Sequence, residues 1–468
     1  MSVDLRALAR TGAVHFMGIS GAGMSALAEL VVRGGGTVTG CDLRLGAAAD
    51  ALRARGVTIH HGHDDAHIAD ATALVMTSAI PGTHPEVIAA RDRGIPVLKR
   101  AQALGALVNQ AVVLAIAGTH GKTTTTAATT AILDAAGMEP TGLVGGRMPA
   151  WGGGLRAGRD EIFVVEADEY DRSFLTLRPA AAVITSIEAD HLDIYGDLAG
   201  VEKAFAEFAD SVKEDGIIAV CSDDEGARRI ASHVSGPAHL LTYGTGEHAD
   251  LRAINVRQDG RMMTFDVEEH GDRLGTLTLG APGIHNVQNA LAAFAVARHA
   301  GATFDAARTA LRSFSGVSRR FQELGTAQGI TVVDDYAHHP TEIAATIATA
   351  RGTYPGRRIV AAFQPHLFSR TREHAVAFGH ALAGADVVWV SDVYPAREAP
   401  IEGVSGELVS RAAEAAGNKH VHYTITLDEM ARALRAELRD NDVLVAMGAG
   451  DIDEMAHSLH DALAQGAA

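Results

Sequence analysis

A chain of 468 residues is about three times the length of a typical domain, so two to three domains are expected. Its composition, 47% hydrophobic and 21% charged, is that of an ordinary globular protein and excludes the disordered and fibrous classes. Forty Lys and Arg against 57 Asp and Glu, a formal net charge of -17, weigh against a nucleic-acid partner, and the two cysteines, Cys41 and Cys221, have no short spacing that would suggest a disulfide framework or a zinc cluster.

The first residues, MSVDLRALAR, carry an early acid and no apolar core, and no run of about 18 apolar residues occurs, so a cytoplasmic protein without membrane insertion is expected. Residues 13–40 read as strand, glycine turn, helix and strand. Within them GISGAGMSA, with Gly18, Gly21 and Gly23, is a G-x-x-G-x-G relative of the dinucleotide fingerprint. Asp42 ends the following strand, where an acid can hold a ribose hydroxyl. The pattern suits a nucleotide or diphosphate, against the alternative of a close-packing turn. In HHGHDDAH, the histidines His60, His61, His63 and His67 lack a helical i, i+4 zinc motif with a downstream carboxylate, and a solvated turn is expected. ALVMTSAI and IPVLK complete a small α/β unit to about residue 107.

A second unit opens with the strand AVVLAIAG and a helix from Lys122, closed near Gly137. The link between them, GTHGKTTTT, resembles a phosphate loop but lacks the usual glycine six residues before the lysine, where Ile116 stands. Gly118 and Gly121 still allow a tight loop that aims backbone N–H groups and the positive helix end at one space. Lys122 then supplies charge for the β and γ phosphates, and the Thr123 hydroxyl can serve magnesium. VVEADEYD brings Glu166, Asp168 and Glu169 to the end of the next strand, and TSIEADHLD brings Glu188, Asp190, His191 and Asp193 to another. Either cluster alone reads equally well as a solvated strand end or a helix cap. Together, after a phosphate loop, they point to a hard cation. Three alternating runs from Asp250 to Gly283 predict a small antiparallel patch, and the helix NVQNALAAFAVARHAG leads to the unit's end near 317.

From about 318, ITVVDDY, RIVAAFQ, ADVVWVSD and DVLVAMGAG alternate with helical segments and predict another open parallel sheet. DDYAHHPTE and QPHLFSRTRE place His338, His339, His366, Arg370 and Arg372 at strand ends, where they suit anionic oxygens. The alternative is that Asp335 and the histidines only cap the helix after Pro340.

In order along the chain, GISGAGMSALA, GTHGKTTTT, VEADEYDRSFL, DHLDIYGD, HNVQNALAA, SRRFQ, DDYAHHPTE, QPHLFSRTRE and DVYPAREAPIEGVSG resemble the Mur ligases over nearly the whole length, and their alanine-adding branch most. The resemblance implies an α/β protein of three domains: a Rossmann-like UDP-sugar domain over 1–107, a central P-loop ATPase with a small antiparallel patch over 108–317, and a Rossmann-like parallel sheet over 318–468. It implies ATP on Gly118, Thr119, His120, Gly121, Lys122, Thr123 and Thr124, with Asn289, Arg320 and Asp335 near the nucleotide. It implies Mg²⁺ at Thr123, Glu166 and His191, and a catalytic role for Lys122, Glu166 and His191. UDP-N-acetylmuramate and L-alanine are matched to Gly18, Gly21, Gly23, Met24, Ser25, Asp42, His338, His366 and Arg370. The implied reaction joins the lactyl carboxylate of the sugar to the amine of L-alanine through an acyl phosphate, in a cytoplasmic monomer or weak homodimer.

Two departures stand out. Where sibling ligases carry a carbamylated lysine this chain has Ala206, with Lys203 out of step, and Leu367 stands where many relatives have arginine. The rival readings are the family's recycling ligase, which attaches a preformed tripeptide to the same sugar, a P-loop motor, and a nucleotide sensor.

Overall fold

The computed structural model describes residues 3–77, 79–396 and 398–466, and within them the strands gather into three sheets. In the first sheet Ala13–Met17 lies between Thr37–Asp42 and Ala71–Met76, with Thr58–His61 and Val97–Lys99 at the edges, every pair parallel. Parallel strands covered on both faces read as continuous apolar runs, and Ala13–Met17 is one, with its last four residues buried. The exception is His15, a fully buried imidazole. The early acid Asp4 caps the helix Leu5–Thr11, its carboxylate accepting from the Ala7 N–H at 3.0 Å.

The second sheet has ten strands. At its centre Val112–Ala117 is flanked in parallel by Ile162–Glu166 and Ala181–Ile184, and Ile217–Cys221 and His239–Gly244 continue the parallel run. Leu251–Asp259, Met262–Glu269 and Asp272–Leu279 follow as successive neighbours joined by two-residue links. Links that short return the chain antiparallel, and both residues of the second, His270 and Gly271, have positive φ, as such turns demand. The expected patch is therefore present, as an extension of the same sheet. The helix Phe304–Ser313, which sequence reading passed over, begins on a Thr303 cap.

The third sheet runs in space Gln322–Ala327, Ile330–Asp335, Asp442–Met447, Arg358–Phe363, Val387–Val390, Val421–Tyr423. It corrects one expectation: Gln322–Ala327 pairs antiparallel with Ile330–Asp335, so the sheet is not wholly parallel. The cause is the two-residue link Gln328–Gly329, with φ of 50° and 72°, a hairpin turn without the usual Asn-Gly signature. Apolar clusters cover both faces of this sheet, one around Ile347, Phe363 and Phe378, the other around Trp389, Met430 and Leu459.

By contacts the chain forms two compact units. The first runs to Asn255 and adds Phe265–Leu277 and Gln288–Phe314; the second takes Val256–Thr264, Thr278–Val287 and the chain from Ser315. The boundary expected near 107 thus falls inside the first unit. Among the described residues, no helix is long and apolar enough to cross a membrane.

Candidate active site

The glycine loop of the first unit joins the buried strand Val112–Ala117 to the helix Lys122–Ala135. Gly118 has φ of 133°, and a Cβ there would lie 1.9 Å from Thr185 Oγ1. Gly121, at φ 83°, caps the helix, and a Cβ on it would lie 2.5 Å from Asn289 Oδ1. Both positions require glycine, one for the close approach of the neighbouring strand end and one for the approach of Asn289. The loop is held from outside: Thr119 N–H donates to Ser186 O at 2.8 Å, His120 N–H to Ser186 Oγ at 3.0 Å, and Glu188 N–H to Thr119 Oγ1 at 3.0 Å. Thr123 and Thr124 are buried in the first turn, and Asn289 accepts from Thr125 Oγ1 at 3.2 Å. The supporting pair Thr185–Ser186 escaped sequence reading, although it immediately precedes the acidic cluster that did not.

Lys122 turns back over its own loop. Its ammonium donates to Gly118 O at 2.6 Å and to both Glu169 oxygens at 2.9 and 2.8 Å. Burial works against that charge, but Glu169 and then Asp168 overcome it and raise the lysine pKa, so Lys122 stays cationic. Glu169 is itself buried, and Tyr195 OH donates to its backbone carbonyl. Glu169 was visible in VEADEYD, but nothing in the sequence singled it out as the lysine's partner.

Glu166, at the end of its strand, accepts from Gly145 N–H at 2.7 Å and from the Thr123 hydroxyl. Desolvation raises the pKa of both Glu166 and Glu169, against the pull of Lys122. His191, in the left-handed region at φ 55°, places Nε2 3.9 Å from Glu169 Oε1 and packs edge-on against Tyr170. Asp171 and Arg172 share that backbone region, so strained residues gather on the loops after the two strands that flank Val112–Ala117. Lys122 and His191 thus converge on Glu169, and Thr123, the next residue of the helix, meets Glu166. Asp168 pairs with Arg100 at 2.9 Å. Lys203 is exposed on the helix Leu198–Ala209, which also carries Ala206.

In the same unit, Gly18 has φ of 76° and Gly21 caps the helix Ala22–Arg33. The carboxylate of Asp42 accepts from Ser20 N–H at 2.9 Å and from Arg44 N–H at 3.0 Å, so it shapes the glycine loop directly. Gly23 faces Arg100, whose Nη1 would lie 3.1 Å from a Cβ. Met24 is buried at 2% exposure, and Ser25 Oγ donates to Ala22 O within the helix.

The second unit gathers its own set. Asp335 accepts from the N–H groups of Phe321 and Ala337, both at 2.8 Å, and burial pushes its pKa up to about 6 in spite of Arg320. Arg320 lies 3.6 Å from Glu342 and, like Arg319, over the Tyr336 ring. His338 Nδ1–H donates to Tyr336 O at 2.9 Å, the only direction a carbonyl allows, and its ring lies 6.1 Å from that of His366. Burial lowers the pKa of His338; Glu342 opposes this, and Arg370 reinforces it. His285, half-buried beside Arg320, is pushed down to about 4 by desolvation first. His339 caps the helix Pro340–Thr353 in a capping box with Glu342, as the capping alternative anticipated for one of the histidines. Leu367 caps the helix Phe368–Leu382 at φ 69°. A cavity of about 520 Å³ opens where Gln364, Ser391 and Asp451 follow their strands, the carboxyl edge at which open α/β sheets bind ligands.

Parallel-cored sheets and a glycine loop backed by a cationic lysine and acids define a phosphate-loop α/β enzyme. Models of the Mur ligase family match in three parts: the catalytic domain over residues 13–111, the middle domain over 116–297 and the glutamate ligase domain over 319–450. A UDP-N-acetylmuramate--L-alanine ligase of Salinibacter ruber is 44% identical over 447 residues, 95% of this chain and 94% of that one. A UDP-N-acetylmuramate-alanine ligase from Thermotoga maritima superposes with a TM-score of 0.82 at 28% identity, covering 97% of this chain and 100% of that one. A murein peptide ligase from Psychrobacter arcticus does so with a TM-score of 0.70 at 26% identity, covering 97% and 99%. The chain belongs to the Mur ligase family.

Proposed function

We propose that the protein joins L-alanine to the lactyl carboxylate of UDP-N-acetylmuramate at the expense of ATP, releasing ADP and phosphate, in the synthesis of peptidoglycan precursors. The observation that carries this reading is 44% identity, over 95% of this chain, to a ligase named for those two substrates, combined with a phosphate loop whose lysine is cationic and half-buried. The domains expected over 1–107, 108–317 and 318–468 would then hold the UDP sugar, ATP, and the amino acid with part of the nucleotide.

A carboxylate is a poor acyl donor because its charge repels an amine and oxide is a poor leaving group. Transfer of the γ-phosphoryl group to a carboxylate oxygen, with loss of ADP, removes both obstacles. The amine then attacks the acyl carbon, a tetrahedral oxyanion forms, and its collapse expels phosphate that retains one carboxylate oxygen. Lys122 binds phosphate oxygens in place of Glu169 and stabilises charge as it moves toward the leaving group. The N–H groups of residues 121–124 at the helix N-terminus fix the phosphates, while those of Thr119 and His120 stay on Ser186, with Asn289 against the loop. Thr123, Glu166 and His191 are the residues that would hold Mg²⁺, which supplies charge neutralisation on the phosphates; the two oxygen donors, Thr123 and Glu166, already in contact with each other, suit that hard ion best. Asp42 and the N-terminal glycine loop receive the UDP group, while His338, His366 and Arg370 serve the substrate carboxylate and amino acid.

Incubation with UDP-N-acetylmuramate labelled with ¹⁸O in the lactyl carboxylate tests the chemistry. One labelled oxygen in each phosphate released is expected, and phosphate without label would exclude the acyl phosphate.

A further inference from the structure

The histidine-rich segment is not the solvated turn the sequence suggested. Thr58–His61 is a strand, and the side chains of His63 and His67 are only 15% and 16% exposed, turned inward onto Glu86. Glu86 comes from the helix Pro85–Asp92, a separate element, so the carboxylate missing near the histidines in sequence is supplied in space. We propose that His15, Cys41, His67 and Glu86 form a tetrahedral site for Zn²⁺ that ties the first two strands of the N-terminal sheet to the segments packed on them.

The geometry carries this. One ligand atom from each of the four residues lies within 4.8 Å of the others. A zinc ion at its ordinary bond lengths keeps tetrahedral ligands about 3.3–3.6 Å apart. His15 Nε2 lies 3.3 Å from Cys41 Sγ, and a single Glu86 oxygen, Oε1, lies 3.7 Å from Cys41 Sγ and 3.3 Å from His67 Nδ1. His67 Nδ1 is buried and has no hydrogen-bond partner, since its approach to Glu86 lacks the required alignment. An inward nitrogen lone pair of this kind is what a metal uses.

The surroundings fit as well. His15 Nδ1 contacts Thr39 Oγ1 at 2.9 Å, which leaves Nε2 to face the cysteine, the outer-shell arrangement that orients ligating histidines. Glu86 is fully buried, and its only ion-pair partners among the described residues are His63 and His67. A thiolate, a carboxylate and two neutral imidazoles would balance the two charges of the ion. The cluster sits in an otherwise apolar layer that includes Met17, Leu74, Met76 and Val87, so the ion would be shielded from water. His63, 3.2 Å from Cys41 Sγ, stands beside the set as a hydrogen-bonding neighbour.

The test is a Co²⁺ titration of the full-length protein after chelation, followed by displacement with Zn²⁺. The expected result is a thiolate-to-cobalt charge-transfer band with intense tetrahedral visible bands, saturating at about one equivalent per chain, lost on adding Zn²⁺. The chain has two cysteines, which makes the assignment clean: Cys41→Ser should abolish the band and Cys221→Ser should retain it. His67→Asn, which keeps Cys41, should weaken Co²⁺ binding by about tenfold or more, and it reads the site should Cys41→Ser fold poorly. Cobalt at an oxygen-rich nucleotide site gives no thiolate band. Absence of the band in the unmodified protein, its persistence in Cys41→Ser, or unchanged affinity in His67→Asn would overturn the proposal.

Discussion

Gly118→Ala puts one methyl group where the phosphate loop touches the end of the neighbouring strand. The new Cβ would lie 1.9 Å from Thr185 Oγ1 and 2.9 Å from two backbone nitrogens, those of Thr185 and Ser186. The hydroxyl can rotate away, but the nitrogens cannot, so the loop must move by about half an ångström even after Thr185 yields. At φ 133° an alanine is also strained, by about 1–3 kcal/mol. Displacement of a positioning element by up to about 1 Å costs on the order of 10²-fold in rate. Gly118→Ala is therefore expected to lower kcat/KM for ATP by about 10²-fold, and adding Thr185→Ala should restore only part of it. The control is Gly137→Ala, with φ of 75° and open space around the Cβ, which should lose about 1 kcal/mol of stability and no ATP turnover. Steady-state kinetics with varied ATP, alongside urea unfolding, separate the two effects. Wild-type ATP kinetics in Gly118→Ala, or an equal kinetic loss in Gly137→Ala, would refute the reasoning.

Lys122→Ala should reduce ligation by about 10³-fold or more with near-native circular dichroism, and near-native turnover would remove the lysine from the reaction. Glu166→Ala should shift the Mg²⁺ dependence of activity to higher concentration, which a titration at fixed ATP would detect. Asp334 is fully buried, neither carboxylate oxygen has a hydrogen-bond partner, and burial raises its pKa to about 7 despite Arg319. A carboxyl with a raised folded pKa stabilises the fold below its unfolded value, and that stability is lost as pH rises from about 4 to about 7. Asp334→Asn should therefore match the wild type near pH 4 and be more stable at pH 8, by on the order of a few kcal/mol, as read from thermal unfolding at the two pH values.

Much of this was written locally in the chain. Gly118, Gly121, Lys122 and Thr123 are consecutive enough that strand, turn and helix chemistry placed them before any coordinates, and the three runs of the antiparallel patch announced themselves by alternation. The antiparallel Gln322–Ala327 did not, because its hairpin turns on Gln328–Gly329, a pair without a strong turn preference. The partners of the functional residues were hidden for a different reason. Glu169 meets Lys122 across 47 positions and Asn289 meets Thr125 across 164, and no local periodicity encodes which acid or amide arrives. The same holds for His15, Cys41, His67 and Glu86: four ordinary residues on separate elements, brought together only by the parallel order of the strands and the helix packed over them.

The central claim is that ATP is consumed to join L-alanine to the nucleotide sugar. Its most direct test is ADP release by the purified protein given Mg-ATP and UDP-N-acetylmuramate, with L-alanine, without it, and with the tripeptide L-alanyl-γ-D-glutamyl-meso-diaminopimelate in its place. ADP formed in step with UDP-N-acetylmuramoyl-L-alanine, and only when L-alanine is present, is the predicted result. Release that requires the tripeptide, or that proceeds unchanged without any acceptor, would contradict it.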